Sequence, residues 1–141
     1  MCGIVAYSGI KPYNADKIKL LLTYNSLERG SDALGIYSPS SGVVKKAGDP
    51  IDLMSAMIPQ NPIDNFFIGH VRAATVGDKS KDENAHPFER GNYIGVMNGT
   101  VKVLSHLLSK RNLDAKDYSV DSDAIIAMIA ADNNYNCLKA S

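Results

Sequence analysis

The chain has 141 residues, and its 15 Lys plus Arg balance 15 Asp plus Glu for a formal net charge of zero. That length suits one domain that buries about two thirds of its extended surface, and zero net charge gives no electrostatic case for nucleic acid or an anionic membrane as partner. With 45% hydrophobic and 21% charged residues the composition is that of a packed chain, not a disordered one. No apolar run approaches the roughly 18 to 20 residues of a membrane span. The chain enters an apolar stretch directly after Met1, without a basic leader. Its two cysteines, Cys2 and Cys137, stand at opposite ends, so a cytoplasmic location with both thiols reduced is expected.

Residues 2–8, Cys-Gly-Ile-Val-Ala-Tyr-Ser, form an apolar run that predicts a buried strand ending at Gly9. Asn14 is placed to cap a helix in which Ile18, Leu21, Leu22, Tyr24 and Leu27 fall near 3.6-residue spacing, with Gly30 to end it. The spacing predicts an amphipathic core helix. Residues 34–38 and 43–47 flank Pro39-Ser40-Ser41-Gly42 and predict a hairpin. Asp49-Pro50 joins an N-cap to a proline at the first helical position, and Asp52 adds charge that suits the helix dipole. A short helix through Met54, Met57 and Ile58 is expected, ending at Pro59.

Residues 66–72 predict another strand, 77–92 a long polar loop of functional character, and 93–97 a further strand. Leu104, Leu107 and Leu108 mark a short helix; Ile125, Ile126, Met128 and Ile129 mark one more, with Asp121 or Ser122 as its cap. Residues 132–141 are polar and carry no clear pattern. Closely spaced strands and a hairpin favour an α+β fold with antiparallel sheets over strict βαβ alternation.

Removal of Met1 before a residue as small as cysteine would leave a thiol and a free α-amine on Cys2. Both groups exchange protons near neutral pH, so such a residue is a nucleophile that carries its own base. A small buried cysteine in an edge strand is the plain alternative. Cys2-Gly3-Ile4-Val5 is followed by Arg29-Gly30-Ser31-Asp32-Ala33-Leu34-Gly35, Gly69-His70-Val71-Arg72-Ala73-Ala74-Thr75-Val76-Gly77, Asn84-Ala85-His86-Pro87, Asn98-Gly99 and Asp121-Ser122-Asp123.

This ordered set, from Cys2 to about Ala131, resembles the glutaminase domain of the class II, N-terminal-nucleophile glutamine amidotransferases. The resemblance implies an αββα sandwich of two antiparallel sheets covered by helices. It places residues 1–141 in a single domain of that type, one expected to be incomplete at its C-terminal end because family domains carry further strands after the Asp121 helix. It also implies that Cys2 attacks the side-chain amide of glutamine to form a γ-glutamyl thioester, releasing ammonia and then glutamate.

The resemblance gives each motif residue a role beside its local one. Asn98-Gly99 is by itself a turn signal; in the family the Asn amide and the Gly N–H form an oxyanion hole. Arg72 ends an apolar strand, where a lone arginine is usually an edge charge; the resemblance assigns it to the substrate carboxylate, which a planar guanidinium suits. Thr75 assists, and Asp121, locally a helix cap, takes the substrate ammonium. Arg29, Gly30 and Asp32 read as structural support beside the nucleophile, and His86 as a brace for the glutamine loop. The three histidines show no recognised metal spacing with the cysteines, so no metal or other cofactor is expected.

Glutamine is the implied small-molecule partner, and an acceptor or synthase subunit, or a second chain completing the sandwich, the implied protein one. Two other readings stay open. One is an inactive or incomplete glutaminase-like binding module, with Ala73 standing where the family has an aromatic residue. The other is an N-terminal-cysteine amidohydrolase for a different amide.

Overall fold

The computed structural model describes residues 1–132; the polar tail from 133 and Cys137 lie outside the described residues. β1 (Gly3–Ser8) leads through a loop to α1 (Ala15–Arg29), which starts where Asn14 Oδ1 accepts from the Lys17 amide at 2.9 Å. At its other end the Gly30 amide donates to Ser26 O. β2 (Ala33–Ser38) and β3 (Gly42–Ala47) form the hairpin, with Gly42 at φ +64° in the turn. α2 (Pro50–Met57) follows, capped by Asp49, whose carboxylate accepts from Ile51 N. β4 (Phe66–Arg72) then enters between β1 and β2, antiparallel to both, and the sheet order is β1-β4-β2-β3.

Strand alternation sorts β4 into two faces. Phe67 and Val71 join Val5, Leu34 and Ile36 against Ile18 and Leu22 of α1, and Phe67, Leu22, Leu34 and Val71 are fully buried. Burial of side chains this large is worth about 1.5 to 3 kcal/mol each, so this seam between sheet and α1 is the main core. His70 and Arg72 alternate onto the opposite face.

A second, two-stranded antiparallel sheet pairs β5 (Phe88–Arg90) with β6 (Tyr93–Gly95). Phe88, Val120 and Ile126 pack it against α4 (Asp121–Ala131), which in turn meets α3 (Leu104–Ser109) through Leu108, Ala124 and Met128. Residues 84–88 lie directly over β2. A Cβ added at Gly35 would fall 1.5 Å from His86 O, so only glycine permits that approach.

The α+β class and the antiparallel pairing agree with expectation, and four α-helices and six strands occur among the described residues. Three expectations need correction. In α1 only Ile18 and Leu22, with Ala15 and Ser26, face the core; Leu21, Tyr24 and Leu27 point to solvent. The segment 77–92 is not all loop, since it holds a 3₁₀ turn at Asp82–Asn84 and β5, and the strand expected at 93–97 stops at Gly95. Neither Asp121 nor Ser122 caps α4: both lie inside the helix, and Val120 holds the cap position without a side-chain bond. No described helix is long and apolar enough to cross a membrane.

Candidate active site

The register between β1 and β4 places Gly3 opposite Val71, which brings Cys2 to the end of β4. There Cys2 Sγ sits 3.4 Å from the Ala73 amide and 3.6 Å from its carbonyl, held between a donor and an acceptor of one residue. The Cys2 backbone N–H donates to Asn98 Oδ1 at 3.1 Å. That contact spends the acceptor end of the Asn98 carboxamide and leaves its NH₂ as a donor on the same side chain. Met1 is 78% exposed.

The segment after α1 fixes Ala73. A Cβ at Gly30 would come within 2.5 Å of Ala73 N and Arg72 C, so the chain crosses β4 at a distance no other residue allows. The Asp32 amide donates to Arg72 O at 2.9 Å, and its carboxylate accepts from Ala74 N at 2.9 Å. Asp32 therefore ties the backbone on both sides of Ala73. Arg29 lies apart, exposed in the last turn of α1, where its charge suits the helix dipole.

Arg72 is only 4% exposed. Its Nη2 donates to Val76 O at 2.7 Å and its Nη1 to Asp78 O at 3.4 Å, so the guanidinium fork closes the following loop over itself. Asn84 Nδ2 donates to the same Asp78 carbonyl, and Ser119 Oγ donates to Asn84 Oδ1. Asp121 holds the other wall: Oδ2 accepts from Val101 N at 2.9 Å and Oδ1 from Ser122 N at 3.0 Å, fastening the loop after Asn98-Gly99 to α4.

Behind this wall the His70 and His86 rings stack with centroids 4.0 Å apart. His70 Nε2 meets Met97 O at 3.3 Å, while His70 Nδ1 and both His86 nitrogens are buried without hydrogen-bond partners. Burial pushes His70 down to about 4, and burial together with the adjacent His70 pushes His86 down to about 2. Both are neutral at pH 7.

Cys2, Arg72, Thr75, His86, Gly99 and Asp121 meet around one cavity of about 30 Å³, enough for a single water. A second, of about 130 Å³, opens beside it between Met1, Cys2, Thr75, Asn98 and Gly99. Of the expected site residues, only Arg29 lines neither cavity nor the backbone that shapes them. A larger depression, about 570 Å³ around Lys45 and the Arg90–Asp123 ion pair, contains none of these residues. Among the described residues no cluster of three or more His, Cys, Asp or Glu could hold a metal. Sequence reasoning missed Val101 and the part played by the Ala73 backbone, since both act through amides that any residue carries; Asp32, read as structural support beside the nucleophile, does hold the backbone on both sides of Ala73.

No family model matches the chain. It is 36% identical over 130 residues to glutamine–fructose-6-phosphate aminotransferase (isomerizing) of Clostridium acetobutylicum, which covers 87% of this chain and 20% of that protein. The Mycobacterium leprae protein of the same name is 30% identical over 138 residues, 91% of this chain and 22% of its own length. Amidophosphoribosyltransferase of Escherichia coli K12 is 30% identical over 143 residues, 94% of this chain and 28% of its own. The chain is a relative of the class II glutamine amidotransferases.

The class II likeness thus extends over most of the chain, beyond the motifs that first carried it. The chain spans between a fifth and somewhat over a quarter of the length of these three amidotransferases.

Proposed function

We propose that the chain is a glutaminase domain of the class II type, residues 1–141, in which Cys2 becomes the nucleophile once Met1 is removed. The observation that carries this reading is the convergence of Cys2, Arg72, Thr75, Gly99 and Asp121 on one cavity, with Asn98 bonded to the Cys2 amide. The two antiparallel sheets, with α1 on the outer face of one and α4 against the other, support the αββα sandwich of N-terminal-nucleophile hydrolases.

In this reading the Cys2 thiolate attacks the side-chain amide carbon of glutamine. The Asn98 NH₂ and the Gly99 N–H donate to the oxygen that becomes negative, and each such donor is worth about 2.7 to 4 kcal/mol at the transition state. The C–S bond forms, the α-amine of Cys2 passes the thiol proton to the departing nitrogen, and the C–N bond breaks to release ammonia. Water then cleaves the thioester to glutamate. Asn98 Oδ1 keeps its contact to the Cys2 nitrogen, now an amine, and so orients the base.

Arg72 takes the substrate carboxylate and Asp121 its ammonium. Because Arg72 is bound to the Val76 and Asp78 carbonyls, glutamine enters only when residues 73–78 lift and those carbonyls release the guanidinium.

Intact-mass measurement before and after a γ-electrophilic glutamine analogue tests the reading. The expected result is loss of Met1 and one label per chain, with no label on Cys2→Ala. Unlabelled wild-type protein that still binds glutamine would favour a second reading, a binding module without turnover. The small size of the cavity at Arg72, about 30 Å³, is the observation that favours it.

A further inference from the structure

One row of residues crosses the four-stranded sheet on the face that carries Arg72. The registers set Lys45 of β3 opposite Gly35 of β2, and Gly35 opposite His70 of β4; directly paired residues point to the same face. Gly35 therefore leaves a slot in the row between a lysine and a histidine. His86 fills it. Its carbonyl lies 1.5 Å from where a Cβ on Gly35 would stand, and its ring stacks on His70.

Lys45 is the side chain that holds this backbone in the slot. Its Nζ donates to Glu83 O at 3.0 Å and to Ala85 O at 2.8 Å, and it sits 4.2 Å from the centroid of the Phe88 ring. The amine thus grips the chain on both sides of His86, and Phe88 in turn meets the His86 ring edge-on with centroids 4.9 Å apart. Lys45 is half-buried and desolvation lowers its pKa, as expected of a cation drawn out of water toward these acceptors. Two residues along β3, the Ala47 amide donates to Asp82 Oδ1 at 2.8 Å and fastens the start of the same segment. Both ring nitrogens of His86 are buried without hydrogen-bond partners among the described residues, so its ring is set by the stack and by the seat of its backbone.

His86 lines the cavity shared by Cys2, Arg72 and Asp121, whereas Lys45 lines neither cavity beside Cys2. We propose that Lys45 is a positioning residue for the glutamine site: it clamps residues 83–86 over Gly35 and so seats His86 as a wall behind Cys2 and Arg72. The choice of glutamine rests on the glutaminase reading above; the clamp itself does not. Lys45 touches none of the reacting groups, so its loss acts on capture of the substrate and leaves the chemical step.

Lys45→Met, which keeps most of the stem and removes the donors, and Lys45→Arg, which restores donors, test this. With a γ-electrophilic glutamine analogue, the half-saturating concentration is expected to rise about tenfold in Lys45→Met while the maximal labelling rate stays within about twofold. Lys45→Arg brings half-saturation back to within about threefold of wild type. A Lys45→Met protein that labels fewer chains at unchanged half-saturation is merely less stable, and overturns the proposal. Carbethoxylation of His86 by diethyl pyrocarbonate near neutral pH, located by peptide mass and scored against the exposed His106, reads the seat without any turnover. His86 is expected to be protected in wild type and Lys45→Arg and to react about tenfold faster or more in Lys45→Met. His86 that stays protected in Lys45→Met overturns the proposal whatever the label does. A wild-type chain that takes no label overturns the glutaminase reading instead, and the protection of His86 then decides the clamp by itself.

Discussion

Gly30 and Gly99 both flank the nucleophile, yet they answer to different constraints. Beside Gly30 a methyl group has nowhere to go, because the Arg72–Ala73 backbone is 2.5 Å away and that backbone also touches Cys2 Sγ. At Gly99 nothing lies within 4 Å of an added Cβ. Gly30→Ala is therefore expected to push β4 away from α1, lowering stability by about 1 to 3 kcal/mol as overpacking does and slowing Cys2 labelling by more than tenfold. Gly99→Ala keeps its backbone N–H and should change stability by less than about 0.5 kcal/mol. Denaturant midpoints for the two variants, with labelling rates measured on folded protein, separate them; equal loss of stability would contradict the contact at Gly30.

At the scale of elements, α1 and α4 are held by different devices. Asn14 caps α1 through the Lys17 amide, and Asn14→Ala should cost about 1 kcal/mol, with Asn14→Ser nearly neutral. β5 is tied to α4 by Arg90, whose Nε and Nη2 donate to the two oxygens of Asp123 at 2.9 and 2.7 Å. The Asp123 side chain is 10% exposed and that of Arg90 45%. Arg90→Ala leaves a nearly buried carboxylate unpaired, so it should cost about 2 kcal/mol, more than the lost cap. Urea unfolding of the two variants side by side checks the order.

Those two devices also mark what the sequence made legible. The cap at Asn14, the proline at the start of α2 and the apolar run of β4 are local signals, and each element appears where its signal stands. β5 has only three residues inside a polar stretch, and its pairing with β6 and α4 is tertiary, so no local periodicity announces it. The spacing of Ile18, Leu21, Leu22, Tyr24 and Leu27 predicts one core face for α1, yet Leu21, Tyr24 and Leu27 are exposed, because at 100° per residue those five positions spread around the helix and only Ile18 and Leu22 share the side that meets the sheet. At the site, the motif residues Cys2, Arg72, Thr75, Gly99 and Asp121 meet around one cavity, whereas the closure of Arg72 onto the Val76 and Asp78 carbonyls depends on loop geometry with no residue signature.

For the whole molecule, the stacked His70–His86 pair between the layers couples the fold to pH. In the unfolded chain each imidazole titrates near its ordinary value of 6.5; in the folded protein burial chiefly holds them down, His70 to about 4 and His86 to about 2. The unfolded state thus binds more protons, and stability falls as pH falls below 6.5. The loss from His70 runs through about pH 4 and that from His86 toward about pH 2.

Each histidine contributes at most about 1.4 kcal/mol per pH unit in that window. Two of them together can remove a marginal stability of about 5 to 15 kcal/mol within a few units. Asp64 and Asp78, whose carboxyls are lowered by hydrogen bonds from Ser40 and Ser80, act only below 3.8. Acid unfolding followed by circular dichroism should therefore begin between pH 6.5 and 4, ahead of the carboxylates. His86→Gln should flatten the slope there, because it removes both the second titrating ring and its charge against His70. A wild-type stability that stays level from pH 7 down to 4 would show that the pair opens to solvent and that the layers do not close over it.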